Sequence, residues 1–377
     1  MRKLAWVVLV AVPVWWCGCS LDGEPLADGF RERQAWPVRA KPAAEQTAVP
    51  RAPDRLKVMA WNIKFGAARI DFWFDFWGDR VKMSSREVRG NLDALARLLA
   101  ETRPDILMTE ETELNSRRSD YVDMVGYLLE HTHFNYAAYV PTWRSRYIPS
   151  EGLGRMNMGN AIFSVYPITA FEGVPLSDRT DQDALHEEFY LHRQVGRATI
   201  QVGARSVTAL VVHTEAYDTD GTKSRQLVEI RDLARAETGP FVLGGDFNAI
   251  PPGSLRTGGF PDEHPLALGT EFEQPPYRLD DMLPFFDTMV PWIPLTGFAG
   301  EAAQRRLYTH SVIGRDKVGT DGQSGFWNRT LDYLFASGGT WVAGESDVLQ
   351  EPGRLGITSD PMLLSDHAPV MGTWVLP

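Results

Sequence analysis

From about residue 55 onward, short apolar runs alternate with longer mixed stretches, and the runs border polar residues. Leu56–Ala60 leads into Trp61-Asn62, Ile106–Met108 into Thr109-Glu110-Glu111, and Ala209–Val212 into His213-Thr214. Phe241–Leu243 leads into Gly244-Gly245-Asp246-Phe247-Asn248, and Ser365-Asp366-His367 stands just before Pro369-Val370-Met371. Runs of this length predict buried strands. Polar residues at their ends then fall where α/β folds gather their active sites. Gly159-Asn160-Ala161-Ile162-Phe163-Ser164 and Thr330-Leu331-Asp332-Tyr333-Leu334-Phe335 read the same way. Two stretches carry helical spacing instead: Val88, Leu92, Leu95 and Leu99, with Ser84 or Ser85 as the cap, and Leu227, Ile230 and Leu233. Both predict core-facing helices.

The pattern changes at the N-terminus. Arg2 and Lys3 precede an apolar stretch, Leu4–Trp16, that is too short for an ordinary membrane span and ends in Cys17-Gly18-Cys19-Ser20. Residues 1–19 therefore read as a bacterial export signal of lipoprotein type, with Cys19 the lipidated residue. A conventionally cleaved signal and an uncleaved anchor are the alternatives, since Trp16 departs from the leucine usual at its position. Residues 20–54, rich in Pro and Ala without periodicity, are expected to be a flexible linker, leaving 55–377 as one catalytic domain. The expected location is the cell envelope, lipid-anchored on the outer membrane or exported, with secretion as the alternative.

Composition narrows the chemistry. The chain's two cysteines both lie in the signal, so the mature domain forms no internal disulfide and uses no cysteine nucleophile. With 44% hydrophobic content, 377 residues support one large core. The formal net charge of −11, with no basic run, weighs against a broad nucleic-acid surface without excluding a local one. Phe72-Trp73-Phe74-Asp75-Phe76-Trp77 carries five aromatics in six residues. It reads either as a packed satellite cluster or, if exposed, as a lipid- or base-contacting rim. Arg117, Arg118, Arg144, Arg146 and Arg155 are candidates for phosphate contact, with ordinary solvation as the alternative.

In order along the chain, Trp61-Asn62, Glu110-Glu111, Gly245-Asp246-Phe247-Asn248, Leu331-Asp332-Tyr333 and Ser365-Asp366-His367 resemble the Trp-Asn, Gln-Glu, Gly-Asp-Phe-Asn, Ile-Asp-Tyr and Ser-Asp-His motifs of the endonuclease/exonuclease/phosphatase superfamily. The resemblance spans about residues 55 to 377. It implies a four-layer α/β/β/α sandwich with two mostly antiparallel sheets. It also implies that Glu111, Asn62 and Asp366 form a site for Mg²⁺, with Mn²⁺ or Ca²⁺ as alternatives. Asp246 would orient and deprotonate water, Asn248 would donate to phosphoryl oxygens, and His213 and His367, the latter oriented by Asp332, would flank the phosphate.

His213, together with Lys64 two residues after Asn62, leans toward the branch of secreted deoxyribonucleases, sphingomyelinases and inositol-phosphate phosphatases. Asn160 departs from that branch, because secreted deoxyribonucleases place there a glutamate that pairs with the histidine. The expected activity is divalent-metal-dependent hydrolysis of a phosphodiester, either nucleic acid, the leading expectation, or phospholipid. Phosphomonoester hydrolysis and a non-catalytic envelope binding role are the alternatives, and no protein partner is implied.

Overall fold

A computed structural model describes residues 27–49, 53–148, 150–183, 187, 189–323 and 325–377; the export signal expected over residues 1–19 lies outside them. Two mixed sheets pack face to face as an α/β sandwich. In chain order the first sheet contains β2 (Val38–Ala40), β3 (Arg55–Asn62), β4 (Ile106–Glu113), β5 (Tyr136–Ile148), β6 (Gly154–Ser164), β13 (Thr340–Trp341), β14 (Asp347–Val348) and β15 (Val370–Val375). The second contains β1 (Gln34–Ala35), β7 (Ile168–Pro175), β8 (Gln194–Val202), β9 (Arg205–His213), β10 (Phe241–Asp246), β11 (Val290–Pro291) and β12 (Asp332–Ala336). Their spatial orders are β13-β15-β3-β4-β6-β5-β2, with β14 also on β15, and β1-β7-β8-β9-β10-β12-β11. Among the described residues each sheet has one parallel pair, β3 with β4 and β9 with β10, and the remaining pairings are antiparallel. The expected architecture is therefore the observed one.

Helix α1 (Ser85–Thr102) starts where its sequence dictates: Ser84 accepts from the Glu87 N–H, and the Glu87 carboxylate accepts from the Ser84 N–H. Val88, Leu92, Leu95 and Leu99 are buried, as their spacing predicts. Helix α2 (Met124–His131) packs beside α1 and on β4 and β5. Helix α3 (Thr222–Arg235) sends Leu227 and Ile230 into the main core.

The sheets approach closely at Gly244. A Cβ there would meet a Leu334 methyl at 2.6 Å and the Met108 methyl from the opposite sheet at 2.7 Å. Gly245 has φ +137, and a Cβ would lie 2.1 Å from the Val212 carbonyl oxygen. Only glycine meets both demands, so the Gly-Gly pair lets β10 deliver Asp246 deep between the sheets.

The segment expected to be a flexible linker differs from that expectation. β1 pairs with β7 and β2 with β5, so residues 34–40 cross from one sheet edge to the other. Asn135 further pins Thr47 through both its N–H and its carbonyl, at 2.7 and 2.9 Å. The open hydrogen-bonding edges of β5 and β7 override the lack of periodicity, because a two- or three-residue strand needs only backbone groups to pair. The folded unit thus begins well before residue 55. A 55–377 fragment is expected to melt several degrees below a 27–377 fragment in a calorimetric scan. Equal melting temperatures would show that the segment adds nothing.

Candidate functional site

Strand register assembles the site. In the second sheet Asp246 lies opposite His213 on β9 and opposite Asp332 on β12, so three adjacent strands present three functional side chains side by side. In the first sheet Asn62 at the end of β3 lies opposite Glu110 on β4. The β4–β6 ladder then slips between Thr109 and Thr112, and Glu111 takes φ +53. That bulge turns consecutive glutamates to different environments. Ser365-Asp366-His367 approaches from the loop before β15, and the Ser365 hydroxyl donates to the Asn62 carbonyl at 2.7 Å. The Trp61 indole donates to the His367 carbonyl at 2.9 Å, which fixes the loop from the other side.

All eight predicted residues meet here. Asn62 Nδ2 donates to Glu111 Oε1 at 3.1 Å and to Asp246 Oδ2 at 3.3 Å. His213 Nε2 and His367 Nε2 lie 3.5 and 3.7 Å from that same Asp246 oxygen. His367 Nδ1 is 2.8 Å from Asp332 Oδ2. The Asn248 N–H holds Asp246 Oδ1 at 2.8 Å, and the Asn248 amide donates to the Thr214 carbonyl. Asp366 completes the ring through Lys64, whose Nζ lies 3.4 Å from Asp366 and 2.9 Å from Asp75.

Burial would disfavour a cationic His367, but the Asp332 and Asp246 carboxylates outweigh it and push its pKa up to about 10. His213 moves the other way. Burial, reinforced by the Arg193 and His367 charges, holds it well below the usual imidazole range. Its Nδ1 is without a hydrogen-bond partner, and Asn160 instead donates to the Gln194 carbonyl. The missing glutamate noted in the sequence therefore leaves His213 neutral. Asp246 is pushed up to about 7 by burial and by Asp332, against the opposing His367. The pair of histidines thus divides into one proton donor and one neutral ring around a carboxylate poised near neutrality.

The carboxylates Glu111 and Asp366 test the site's fit to a cation. Burial and the Asp366 charge raise Glu111, while Lys64, His367 and Arg69 overcome burial to lower Asp366. An oxygen-only donor set with excess negative charge fits a hard dication. Asp246, Asp332 and His367 also bring ligand atoms within 4.8 Å of one another. Glu111 and Asp366 are the carboxylates that the family resemblance gives to the cation, and the Asp246–Asp332–His367 group is a second set of atoms close enough to hold one. Glu110 stands in the glutamine position fully buried, with both oxygens unpartnered, and burial raises its pKa well above the usual range. A neutral carboxylic acid is nearly isosteric with glutamine, which reconciles this glutamate with its position.

Sequence reasoning missed three neighbours. Lys64 is buried because the Lys64 N–H bonds to Asn62 Oδ1 and turns the side chain inward. His310 packs edge-on to His367 with ring centroids 4.5 Å apart. Arg193 is buried beside His213, with Glu215 at 3.5 Å and with Nε and Nη1 lacking hydrogen-bond partners. Only Lys64 had a signal, its adjacency to Trp61-Asn62. Of the five candidate arginines, Arg118 lines the site's cavity, buried against Glu113 at 2.7 Å, whereas Arg144 pairs with Asp28 and Arg117 reaches the Gly152 carbonyl. The aromatic insertion is packed rather than displayed: Phe72 is buried in the core and Trp73 and Phe74 are half-buried.

Asp332→Asn is expected to lower the His367 pKa from about 10 toward its ordinary value, as followed by NMR of the imidazole. Because the folded-state value is raised, His367 stabilises the fold fully below about pH 6.5, and that contribution disappears as pH rises to about 10. An unmoved titration in Asp332→Asn would remove Asp332 as the cause.

The family model described as "Endonuclease/Exonuclease/phosphatase family" matches residues 59–367. The fold is similar to an endonuclease/exonuclease/phosphatase from Beutenbergia cavernae, at 18% identity and TM-score 0.52, covering 85% of this chain and 72% of that one. It is also similar to one from Bacteroides vulgatus, at 13% identity and TM-score 0.50, covering 86% and 99%. No curated protein sequence matches the chain.

Proposed function

The chain belongs to the endonuclease/exonuclease/phosphatase family, whose members are generally phosphoester-hydrolysing enzymes, and on that footing we propose that it is a divalent-metal-assisted phosphodiesterase. The observation that carries this reading is the convergence on one Asp246 oxygen of Asn62, His213 and His367. Asp246 orients a water and accepts its proton. His367, held cationic by Asp332, gives a proton to the leaving oxygen, while neutral His213 and the Asn248 amide hydrogen-bond the phosphoryl oxygens. Arg193 adds positive charge to the His213 side of the cavity. Mg²⁺ or Mn²⁺ held by Glu111 and Asp366, with Asn62 beside them, would supply charge neutralisation at the phosphate.

Within this class the nucleic-acid expectation finds little support in the local charge. Lys64 is paired with Asp75 and Asp366, Arg118 with Glu113 and Arg193 with Glu215, so each lysine and arginine lining the cavity already faces a carboxylate. We further propose that Cys19 is lipidated and places the enzyme at the cell envelope. Among the described residues, no helix is long and apolar enough to cross a membrane. Membrane fractionation of Cys19→Ala tests this, and a variant that still sediments with membranes would discard the anchor.

Purified protein is expected to hydrolyse bis(p-nitrophenyl) phosphate with Mg²⁺ or Mn²⁺, to lose the activity in EDTA, and to leave the mono-aryl ester nearly untouched. Asp246→Asn and His367→Ala should each lower kcat by about 10²- to 10⁴-fold with the fold retained by circular dichroism. Faster turnover of the mono-aryl ester would replace the diesterase reading with a phosphatase. The pH profile of kcat/KM is expected to rise near 7 with Asp246 and to fall near 10 with His367. Both limbs should move to lower pH in Asp332→Asn, because the Asp332 charge raises both groups.

A further inference from the structure

Asp332 and His367 come from separate segments, and a third segment laces the two together. The Thr309 hydroxyl oxygen accepts from the N–H groups of Leu331 and Asp332, at 2.9 and 3.3 Å, while the Thr309 carbonyl accepts from the Ala368 N–H at 2.6 Å. Next along the chain, the His310 N–H donates to the Arg329 carbonyl and the Ser311 N–H to the Asp366 carbonyl, both at 3.0 Å. Thr309-His310-Ser311 is thus bonded on one side to the segment that ends in Asp332 and on the other to Asp366-His367-Ala368.

That lacing sets the middle side chain against His367. The two rings lie 4.5 Å apart, centroid to centroid, with their planes at 64°. His310 is 8% exposed and lines the same cavity as Asp366 and His367. Its Nδ1 has no hydrogen-bond partner. The Asp262 carboxylate stands 3.9 Å from that nitrogen, but it already accepts from Arg329 at 2.7 Å and from the Val312 N–H at 2.9 Å. Burial, with the Arg329 and His367 charges, holds His310 well below the usual imidazole range. An uncharged ring can pack against an imidazolium, whereas a second buried cation would be repelled by it.

The Asp332 carboxylate grips His367 at Nδ1 alone, at 2.8 Å. A ring held at one nitrogen can still tilt about that bond, and a misplacement of about 1 Å can cost roughly 10²-fold in rate. We propose that His310 is a positioning residue, whose ring packs against that of His367, blocks the tilt and keeps Nε2 directed at the leaving oxygen. This rests on the diesterase reading. In that reaction the water oxygen bonds to phosphorus and its proton passes to Asp246, while the bond from phosphorus to the leaving oxygen breaks and the His367 Nε2 proton moves to that oxygen. Only the last transfer depends on His310.

Two measurements on the full chain test this. With Mg²⁺ present, methyl p-nitrophenyl phosphate, whose leaving group departs without a proton, is compared with methyl phenyl phosphate, whose leaving group needs one. His310→Ala is expected to lower kcat by about 10²-fold on the phenyl ester and by much less on the p-nitrophenyl ester, with KM little changed for either. His310→Phe, which keeps a ring against His367, should recover most of the loss. The second measurement needs no turnover: in protein labelled with ¹³C at histidine, NMR relaxation of the His367 ring is expected to give an order parameter of about 0.85 in the wild type, below about 0.6 in His310→Ala, and restored in His310→Phe. Equal losses on both esters, or a His367 ring as rigid in His310→Ala as in the wild type, would overturn the proposal. A loss in His310→Phe as deep as in His310→Ala would also overturn it, since the imidazole nitrogens rather than the packing would then matter. A ring freed in His310→Ala, in a protein that hydrolyses neither ester, would keep His310 as the support of His367 and remove the diesterase.

Discussion

Too many carboxyl groups in too little water is the condition on which the site depends. Glu110, Asp246, Asp332 and Asp366 are buried and Glu111 half-buried, all at the junction of two sheets. Left to themselves such groups would take up protons or force the sheets apart. The fold resolves the conflict unevenly. His367 is charged by Asp332 and Asp246, Lys64 is spent on Asp366 and Asp75, and Glu110 stays neutral. Glu111, bonded to the Asn62 amide, has no cationic partner among the described residues, and its charge is the one a hard cation would offset. The same imbalance separates the two histidines, since His367 faces two carboxylates, Asp332 and Asp246, whereas His213 shares only Asp246 and has an arginine beside it.

Backbone geometry makes this crowding attainable. Parallel pairing of β9 with β10 and antiparallel pairing of β10 with β12 bring His213, Asp246 and Asp332 into one row, and the glycines at 244 and 245 allow that row to press against the other sheet. A bulge in β4 aims Glu111 forward while Glu110 remains behind it. Ser365 ties the last motif to Asn62, so residues more than 300 apart in sequence move as one unit. The arrangement of the site is thereby set by ladders that are among the least mobile parts of a fold.

Much of this was legible in the sequence because the motifs sit at strand ends, where an apolar run announces the strand and the polar residue after it announces the site. The central strands and α1 followed for the same reason. Arg193 and His310 were not legible, since each lies outside an apolar run and reaches the centre only through tertiary packing. The aromatic insertion was ambiguous because composition does not say which side of a loop meets water. The segment before residue 55 was misread as a tether because its strands are two and three residues long and leave no periodic trace.

That short segment also changes what kind of object the sandwich is. β1 and β2 occupy the outermost positions of the two sheets, closing edges that β7 and β5 would otherwise present as open templates for another chain. Their partners lie about a hundred residues or more downstream, so neither edge can be covered until β5 and β7 are in place. Protection against edge-to-edge association therefore depends on contacts between residues far apart in sequence, so the loss of a few N-terminal residues would bare two edges at once.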